Sequence, residues 1–392
     1  MTVPSSTLAN PGSQAALRSL NQQRILDTLL ASGPSTQAEL ARQTGLSSAT
    51  ISNLVKLMEG IGTVETSPTT SSGRRALLVR LVDDGGIAVG IDFGRRHLRV
   101  VLATPGYRVI AEEFLELDAG QVAAEGIDLA HDLLRRLLDE HHIEDADVIG
   151  VGVGIPGPID RGRSAVVGSI LPEWSDIDFA SIGERLGFPV ILENDANLGA
   201  LAEVAWGPHG GTDNLAFVKI GTGIGAGLIL NGALFYGNLG ITGEIGHGTM
   251  IDYGTVCHCG NRGCLETVAS TSVMIEVLSR VGQRRVTTSE IIFNALGGDS
   301  ATLRVVDDAG TAIGRAVANL ANLVNPEVIV IGGSLSRLGD LLLVPMRRGF
   351  RRHTVPIVGE STTIVMSSVG DRAEALGAVA LVLQRAPARG AR

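Results

Sequence analysis

His247 and, ten residues on, Cys257-His258-Cys259-Gly260-Asn261-Arg262-Gly263-Cys264-Leu265-Glu266 form the stretch on which the reading of this chain turns. All three cysteines of the chain lie in it, inside eight residues. An odd, tightly clustered set reads as metal ligation rather than as a disulfide framework. Cys257 and Cys259 are too close in sequence for an ordinary mutual disulfide, and the glycines allow a tight loop around a shared ion. One imidazole (His247) and three thiolates close a tetrahedral shell, and a shell with no open position is structural. His258 is a rival for the fourth place, although between two cysteine ligands it would strain the same small loop. Three reduced cysteines in a core are the plainer alternative.

Around this loop, from Gly86 onward, apolar strands alternate with helices. Three consecutive strands are expected over 87–93, 98–104 and 108–117, then a helix over about 121–140 and a strand over 148–155 that ends in Pro156-Gly157-Pro158. A short strand over 189–193 leads into Asn194-Asp195-Ala196-Asn197 and a helix. Strands over 215–220 and 225–230 open a second half, which continues with a long helix over about 300–324 and a strand over 328–331. Two halves that each begin strand, glycine turn, strand suggest an internally duplicated α/β domain. The run Gly221-Thr222-Gly223-Ile224-Gly225-Ala226-Gly227 resembles a dinucleotide fingerprint, but that motif must open a helix. Here Leu228-Ile229-Leu230 continues as strand, so the run is a glycine hairpin open to a phosphate or to a packed backbone.

The first 82 residues read differently. A helical pattern over about 14–31 places Leu17, Ile25, Leu26 and Leu29 on one side, and Ser32-Gly33-Pro34-Ser35 stops it. Thr36 and Glu39 have capping-box spacing, Gly45 breaks the short second helix, and Ser47 caps a third with Ile51, Leu54, Val55 and Met58 at helical spacing. Helix, glycine turn, helix is the helix-turn-helix order. The outward positions of the third helix, among them Ser48, Ala49, Thr50, Asn53 and Lys56, are short or polar and suit a major groove; Asn53 can pair with adenine in two bonds. A strand at 63–65, a turn-rich Ser67–Gly73 and a strand over 76–81 read as a hairpin wing, with Arg74 and Arg75 at its tip for phosphate or a narrow minor groove.

Charge separates the same two regions. Residues 1–82 carry seven Lys and Arg against four Asp and Glu, whereas the remaining 310 carry 25 against 37. A small basic module on a large acidic one is expected where only the first touches phosphate. No stretch is apolar enough for a membrane span, and Met1-Thr2-Val3-Pro4-Ser5-Ser6 does not begin a signal peptide. A cytoplasmic protein is the expectation.

With these motifs in place the chain resembles the ROK family of repressors, open reading frames and sugar kinases, in particular its repressor branch. The resemblance runs from about residue 14 to 385. Its most specific part is Cys257-x-Cys259-Gly260-x-x-Gly263-Cys264-x-Glu266 placed after Glu244-Ile245-Gly246-His247. It implies an α/β fold: an N-terminal winged helix-turn-helix over 1–82, then a two-lobed actin/hexokinase-like, ribonuclease H-like duplicated ROK domain over 83–392. Lobe 1 is expected over about 83–195 with a C-terminal helix over 371–388, and lobe 2 over about 196–370 with the loop 247–266. The resemblance implies zinc on His247, Cys257, Cys259 and Cys264, and sugar hydroxyls on Asn194, Asp195, Glu244, His247 and Glu266. In the kinases the residue matching Asp195 is the general base.

One departure bears on activity. Family kinases carry Asp-x-Gly-Gly-Thr at the first phosphate loop, whereas this chain has Asp92-Phe93-Gly94-Arg95-Arg96. A long side chain then stands where backbone must approach phosphate, and a hydroxyl is lost. The expectation is a sugar-responsive regulator of carbohydrate uptake or catabolism genes, a repressor without kinase activity and without ATP. Its partners would be double-stranded operator DNA, a sugar or sugar phosphate, and further copies of itself as homodimer or homotetramer. A regulator that is also an ATP-dependent sugar kinase using Asp195 as its catalytic base is the alternative, and a scaffold that binds protein rather than DNA is a third.

Overall fold

The computed structural model describes residues 21–22, 24–26, 28–29, 32–60, 63–71, 74–82, 86–94, 96–117, 123–160, 165–166, 179–209 and 212–385. Leu17, Gly73, Arg95 and the side chain of Arg74 lie outside what it describes.

The N-terminal module is built on three helical stretches. The described residues between 21 and 32 are helical, with Ile25 and Leu29 buried. Helix Gln37–Thr44 starts on a complete capping box, in which Glu39 N–H donates to Thr36 Oγ1 and Thr36 N–H donates to Glu39 Oε2. It ends at Gly45, whose φ of 71° is the left-handed conformation that a helix C-terminus of this kind needs. Helix Ser48–Gly60 follows, with Thr50 N–H donating to Ser47 Oγ, and buries Ile51, Leu54, Val55 and Met58. These pack with Leu40, Val64 and Val79 into one small core. Each such side chain contributes about 1.5–3 kcal/mol on burial, which lets a module this short hold its shape.

The wing is longer than its composition predicts. Val64–Ser71 and Arg74–Leu81 pair antiparallel throughout, from Val64 opposite Leu81 to Ser71 opposite Arg74. The stretch expected to turn from Ser67 onward is therefore mostly strand. Pro68 is tolerated because its strand lies at the sheet edge, where a missing N–H breaks no ladder. The other edge is Ser35–Thr36, paired to Val79 and Leu78, so the residues that stop the first helix also tie it to the wing.

Two five-stranded sheets follow with one topology. In the first the order is Val190–Asn194, Val148–Ile155, Ile87–Phe93, His97–Ala103, Val109–Glu116. In the second, Ala233–Leu234, Ile224–Leu230 and Leu215–Ile220 are antiparallel neighbours, and Val328–Gly332 and Thr363–Met366 add parallel. Three antiparallel strands with two parallel strands beside the first is the same plan twice, so the duplication read from the strand–glycine–strand repeats is real. The short third strand of the second sheet and its last strand, Thr363–Met366, were not expected from the sequence.

Helix Ala373–Arg385 returns to the first sheet and lies on strands Ile87–Phe93 and Val148–Ile155. It can approach because Gly90 and Gly152 have no side chain: a Cβ on either would strike the carbonyl of Ala375 or of Ala378. The glycine alternation in Val148-Ile149-Gly150-Val151-Gly152-Val153-Gly154 thus serves helix-on-sheet packing. Helix Asp195–Ala205 packs against this helix and against Leu215–Ile220 and Ile224–Leu230, joining the two sheets. Among the described residues no helix is long and apolar enough to cross a membrane.

Candidate functional site

A cavity of about 590 Å³ opens between the two sheets, and Asn194, Asp195, Glu244, His247 and Glu266 all line it. Residues separated by more than seventy positions are thereby brought to one cleft. Strand Val190–Asn194 ends directly at helix Asp195–Ala205, which places the first two at a strand-to-helix junction. Asn194 is the N-cap: its Oδ1 accepts from Ala196 N–H and Asn197 N–H, and its Nδ2 donates to Gly157 O at 3.0 Å. Asp195, only 8% exposed, accepts Ala196 N–H on Oδ1 and Lys219 Nζ on Oδ2 at 2.8 Å. Behind them Glu193 is fully buried, accepting Asn194 N–H and Asn197 Nδ2 on one oxygen and the Tyr236 hydroxyl on the other. Carboxylates and amides fixed this way present directional acceptors of the kind that separates one polyol from its epimer.

The opposite wall comes from the cysteine loop. Glu266 Oε2 accepts Ile224 N–H at 3.1 Å, and its Oε1 faces His258 Nδ1 at 3.2 Å. The glycine hairpin explains this contact: a Cβ on Gly223 would lie 2.7 Å from that carboxylate. Here the glycine run admits a protein carboxylate. Burial, then the charges of Asp195 and Glu266, push Glu244 up to about 7. His247 sits with Nε2 3.6 Å from Glu244 Oε2 and Nδ1 3.6 Å from Cys257 Sγ, so it faces both the cleft and the thiols.

His247, Cys257, Cys259 and Cys264 place one ligand atom each within 4.8 Å of one another. Cys259 and Cys264 sulfurs are 3.8 Å apart. Ligands about 2.3 Å from a central ion stand roughly 3.7 Å from each other in a tetrahedron, so both measured edges suit zinc. The Cys264 thiol is pushed up to about 12, first by burial and then by Cys259 and Cys257; a zinc ion would displace that proton. His258 groups instead with Cys257 and Glu266, is half exposed, and is not a member of the four-residue set. The set is consistent with a structural zinc site.

At the other end of the cleft, Gly94, Arg96, Gly221, Thr222, Gly333 and Ser334 line the cavity. Asp92 is buried beneath them, with His97 Nε2 at 2.7 Å from its Oδ2. Burial alone would lower the His97 pKa, but Asp92 outweighs it and the net shift is upward. Lys219, Glu374 and Tyr236 went unnoticed in the sequence. Lys219 did leave a signal: it is the one charge in the apolar strand Leu215–Ile220.

On the reader, Ser48, Ala49, Asn53 and Lys56 are exposed along one side of helix Ser48–Gly60, and Thr50 is half-buried beside Ser47. Arg75 is exposed near the wing tip, and Arg74 pairs there through its backbone. These residues lie in a different module from the cleft. The structure therefore places the two sets of residues in separate modules of one chain.

Comparison with known proteins agrees with this division. The ROK family model matches residues 88–385, and the MarR family model matches residues 19–75. A xylose repressor of Bacillus subtilis strain 168 is 31% identical over 373 residues, covering 94% of this chain and 96% of that protein. A glucokinase of Halalkalibacterium halodurans is 33% identical over 316 residues, covering 76% of this chain and 95% of its own. A crystal structure of a ROK family transcriptional regulator, described as a homologue of the Escherichia coli MLC protein, superposes with a TM-score of 0.71 at 23% identity over 94% of this chain and 97% of its own; that likeness is one of fold. With the ROK match spanning both lobes and the cleft between them, and the MarR-like match lying in front, the chain belongs to the ROK family.

Proposed function

We propose that the chain is a cytoplasmic, sugar-responsive transcriptional repressor of carbohydrate uptake or catabolism genes. The observation that carries this reading is the coexistence, in one chain, of an exposed polar helix face on a winged reader and a carboxylate-lined cleft. The full-length match to a xylose repressor supports it. The reader is assigned to residues 1–82 and the sensor to 83–392, with 83–195 plus the C-terminal helix as one lobe and 196–370 as the other.

In this reading Asn194, Asp195, Glu244, His247 and Glu266 hold the sugar's hydroxyls. Zinc on His247, Cys257, Cys259 and Cys264 supplies a structural cross-link: it holds the loop that carries Glu266 and fixes the ring of His247 toward the cleft. Sugar binding changes lobe closure and so the spacing of two reader heads in a homodimer. Specific binding by such a dimer needs heads about 34–36 Å apart, or a multiple. The sugar acts only through its different affinities for the DNA-competent and incompetent forms. Arg95 and Arg96, in place of the phosphate loop's Gly and Thr, support a sensor that transfers no phosphate. Purified protein given ATP and an aldose panel should release no ADP in a coupled assay, and release at enzymic rates would return the chain to the kinases.

DNA recognition is assigned to Ser48, Ala49, Thr50, Asn53 and Lys56 in the major groove, with Arg74 and Arg75 on the wing. Asn53→Ala should weaken operator binding about 5–150-fold, the value of about 1–3 kcal/mol for a bidentate base contact. Weakening should be confined to the operator. Fluorescence anisotropy with operator and scrambled duplexes checks it; equal losses on both, or none, would remove Asn53 from base readout.

A further inference from the structure

Lys219 is flanked in its strand by buried apolar residues, and the residues paired to it on the two neighbouring strands are Gly225 and Gly332. An ammonium in such a place costs several kcal/mol of desolvation unless carboxylates meet it. Two do so. Asp195 Oδ2 accepts its hydrogen bond at 2.8 Å, and Glu374 Oε1 pairs with it at 3.2 Å without hydrogen-bond geometry. Asp92 adds a third negative charge nearby. Burial alone would depress the Lys219 pKa, but the three carboxylates outweigh it and raise it, so the amine is charged.

The partners come from the other side of the cleft. Lys219 projects from the second sheet, whereas Asp92 lies next to the end of strand Ile87–Phe93 in the first sheet and Glu374 lies in the first turn of the helix packed on that sheet. The neighbouring acids are closed off in the same manner. Asp92 pairs with His97, and Arg99 spans Glu112 and Asp371. The acids around Lys219 are thus met by the protein's own basic side chains.

A phosphoryl-transfer site uses carboxylates differently. There they hold a divalent cation that in turn grips the phosphates. Magnesium binds oxygen at about 2.0–2.1 Å and demands octahedral surroundings. On Asp195 Oδ2 or Glu374 Oε1 it would collide with the ammonium already there. The two carboxylates that hold the lysine therefore do not fit the metal of a metal–nucleotide.

We propose that Lys219 is the resident cation of the cleft: it stands in for the divalent metal of a phosphoryl-transfer site and fastens the second lobe to the first. The proposal deepens the reading of the chain as a sensor without phosphoryl transfer, and rests on it. Lys219 is accordingly a positioning residue for Asp195. Asp92 Oδ1 is buried without a hydrogen-bond partner, so the floor has acceptor capacity that a metal would claim once the lysine is gone.

Binding of Mn2+ to the zinc-loaded full chain, followed by electron paramagnetic resonance with and without AMPPNP, tests this. The native protein should show no cleft Mn2+ site under either condition. Lys219→Ala should gain one, about tenfold or more tighter than any native site, and should lose it again when Asp92→Asn is added. Its Tm should rise with added MnCl2, a response that a merely structural lysine would not leave behind. Lys219→Arg keeps the charge and should gain no site. A folded Lys219→Ala protein without the new site would overturn the proposal. If that variant does not fold, the native arm decides: Mn2+–AMPPNP bound in the native cleft overturns it, and its absence together with a folded, Mn2+-free Lys219→Arg supports it. None of these readouts uses sugar or DNA, so a failure of the repressor reading would leave them where they are.

Discussion

Cys264→Ser should empty the proposed zinc site and take sugar recognition with it. Cys264 is fully buried at the base of the loop, and its carbonyl accepts Thr267 Oγ1 as the chain turns into the segment carrying Glu266. Thr249 bridges to Cys264 and Val256 to Arg262, and turn hydrogen bonds such as Cys257 N–H to Asn261 O and Gly263 N–H to Thr255 O add to them, but no strand or helix spans the loop. A metal that draws four side chains together supplies most of the remaining constraint, and its binding free energy is folding free energy for such a segment. Loss of one thiolate frees His247 and Glu266 together, two of the five groups assigned to the sugar. Sugar affinity should fall by about 100-fold or more, at the upper end of what disturbed metal shells cost. Isothermal titration with the aldose that binds the native protein, alongside zinc content by mass spectrometry, measures both quantities. A zinc-free protein with native sugar affinity would separate the loop from the pocket.

The second large effect belongs to Asp195. Asp195→Asn preserves size and the hydrogen bond from Ala196 N–H, but replaces a charged acceptor by a neutral one. Hydrogen bonds to charged groups contribute about 1.5–3 kcal/mol, so the sugar's Kd should rise about 10–100-fold. Lys219 also loses half of its close counter-charge, since Glu374 alone then pairs with it. Thermal stability should therefore fall too, and chemical denaturation read beside the titration separates the two losses. The operator complex of Asp195→Asn should persist at sugar concentrations that dissociate the native complex. Dissociation at the native concentration would place the sugar elsewhere.

How far the sequence led is best seen in particular residues. Local rules carried the reader: the Thr36–Glu39 capping box, Gly45 and the spacing of Ile51, Leu54, Val55 and Met58 all act within a few residues. The cysteine–histidine cluster was legible for the same reason, since three of its members lie within eight positions. The cleft was legible only through the family resemblance, because no periodicity announces that Asn194 and Glu266 will face one cavity. The wing was misjudged where composition stood against pairing: Ser, Thr and Pro over 67–71 favour turns, yet the ladder with Arg74–Leu81 prevails. Lys219 was missed because its meaning lies in Glu374 and Asp92, 155 and 127 positions away. A lone charge in an apolar strand is a signal that a partner exists, but it does not name one.

The central claim is that the cleft and the reader speak to each other, and linkage makes that a single measurement. Labelled duplex from the region upstream of the chain's own coding sequence is titrated with protein and followed by fluorescence anisotropy, with and without each member of a panel of aldopentoses, aldohexoses and their phosphates. The account predicts salt-dependent, competitor-resistant binding that one sugar weakens by about 5–150-fold, the usual range of a coupling free energy of 1–3 kcal/mol. Specific binding that stays the same when a sugar saturates the cleft would contradict it.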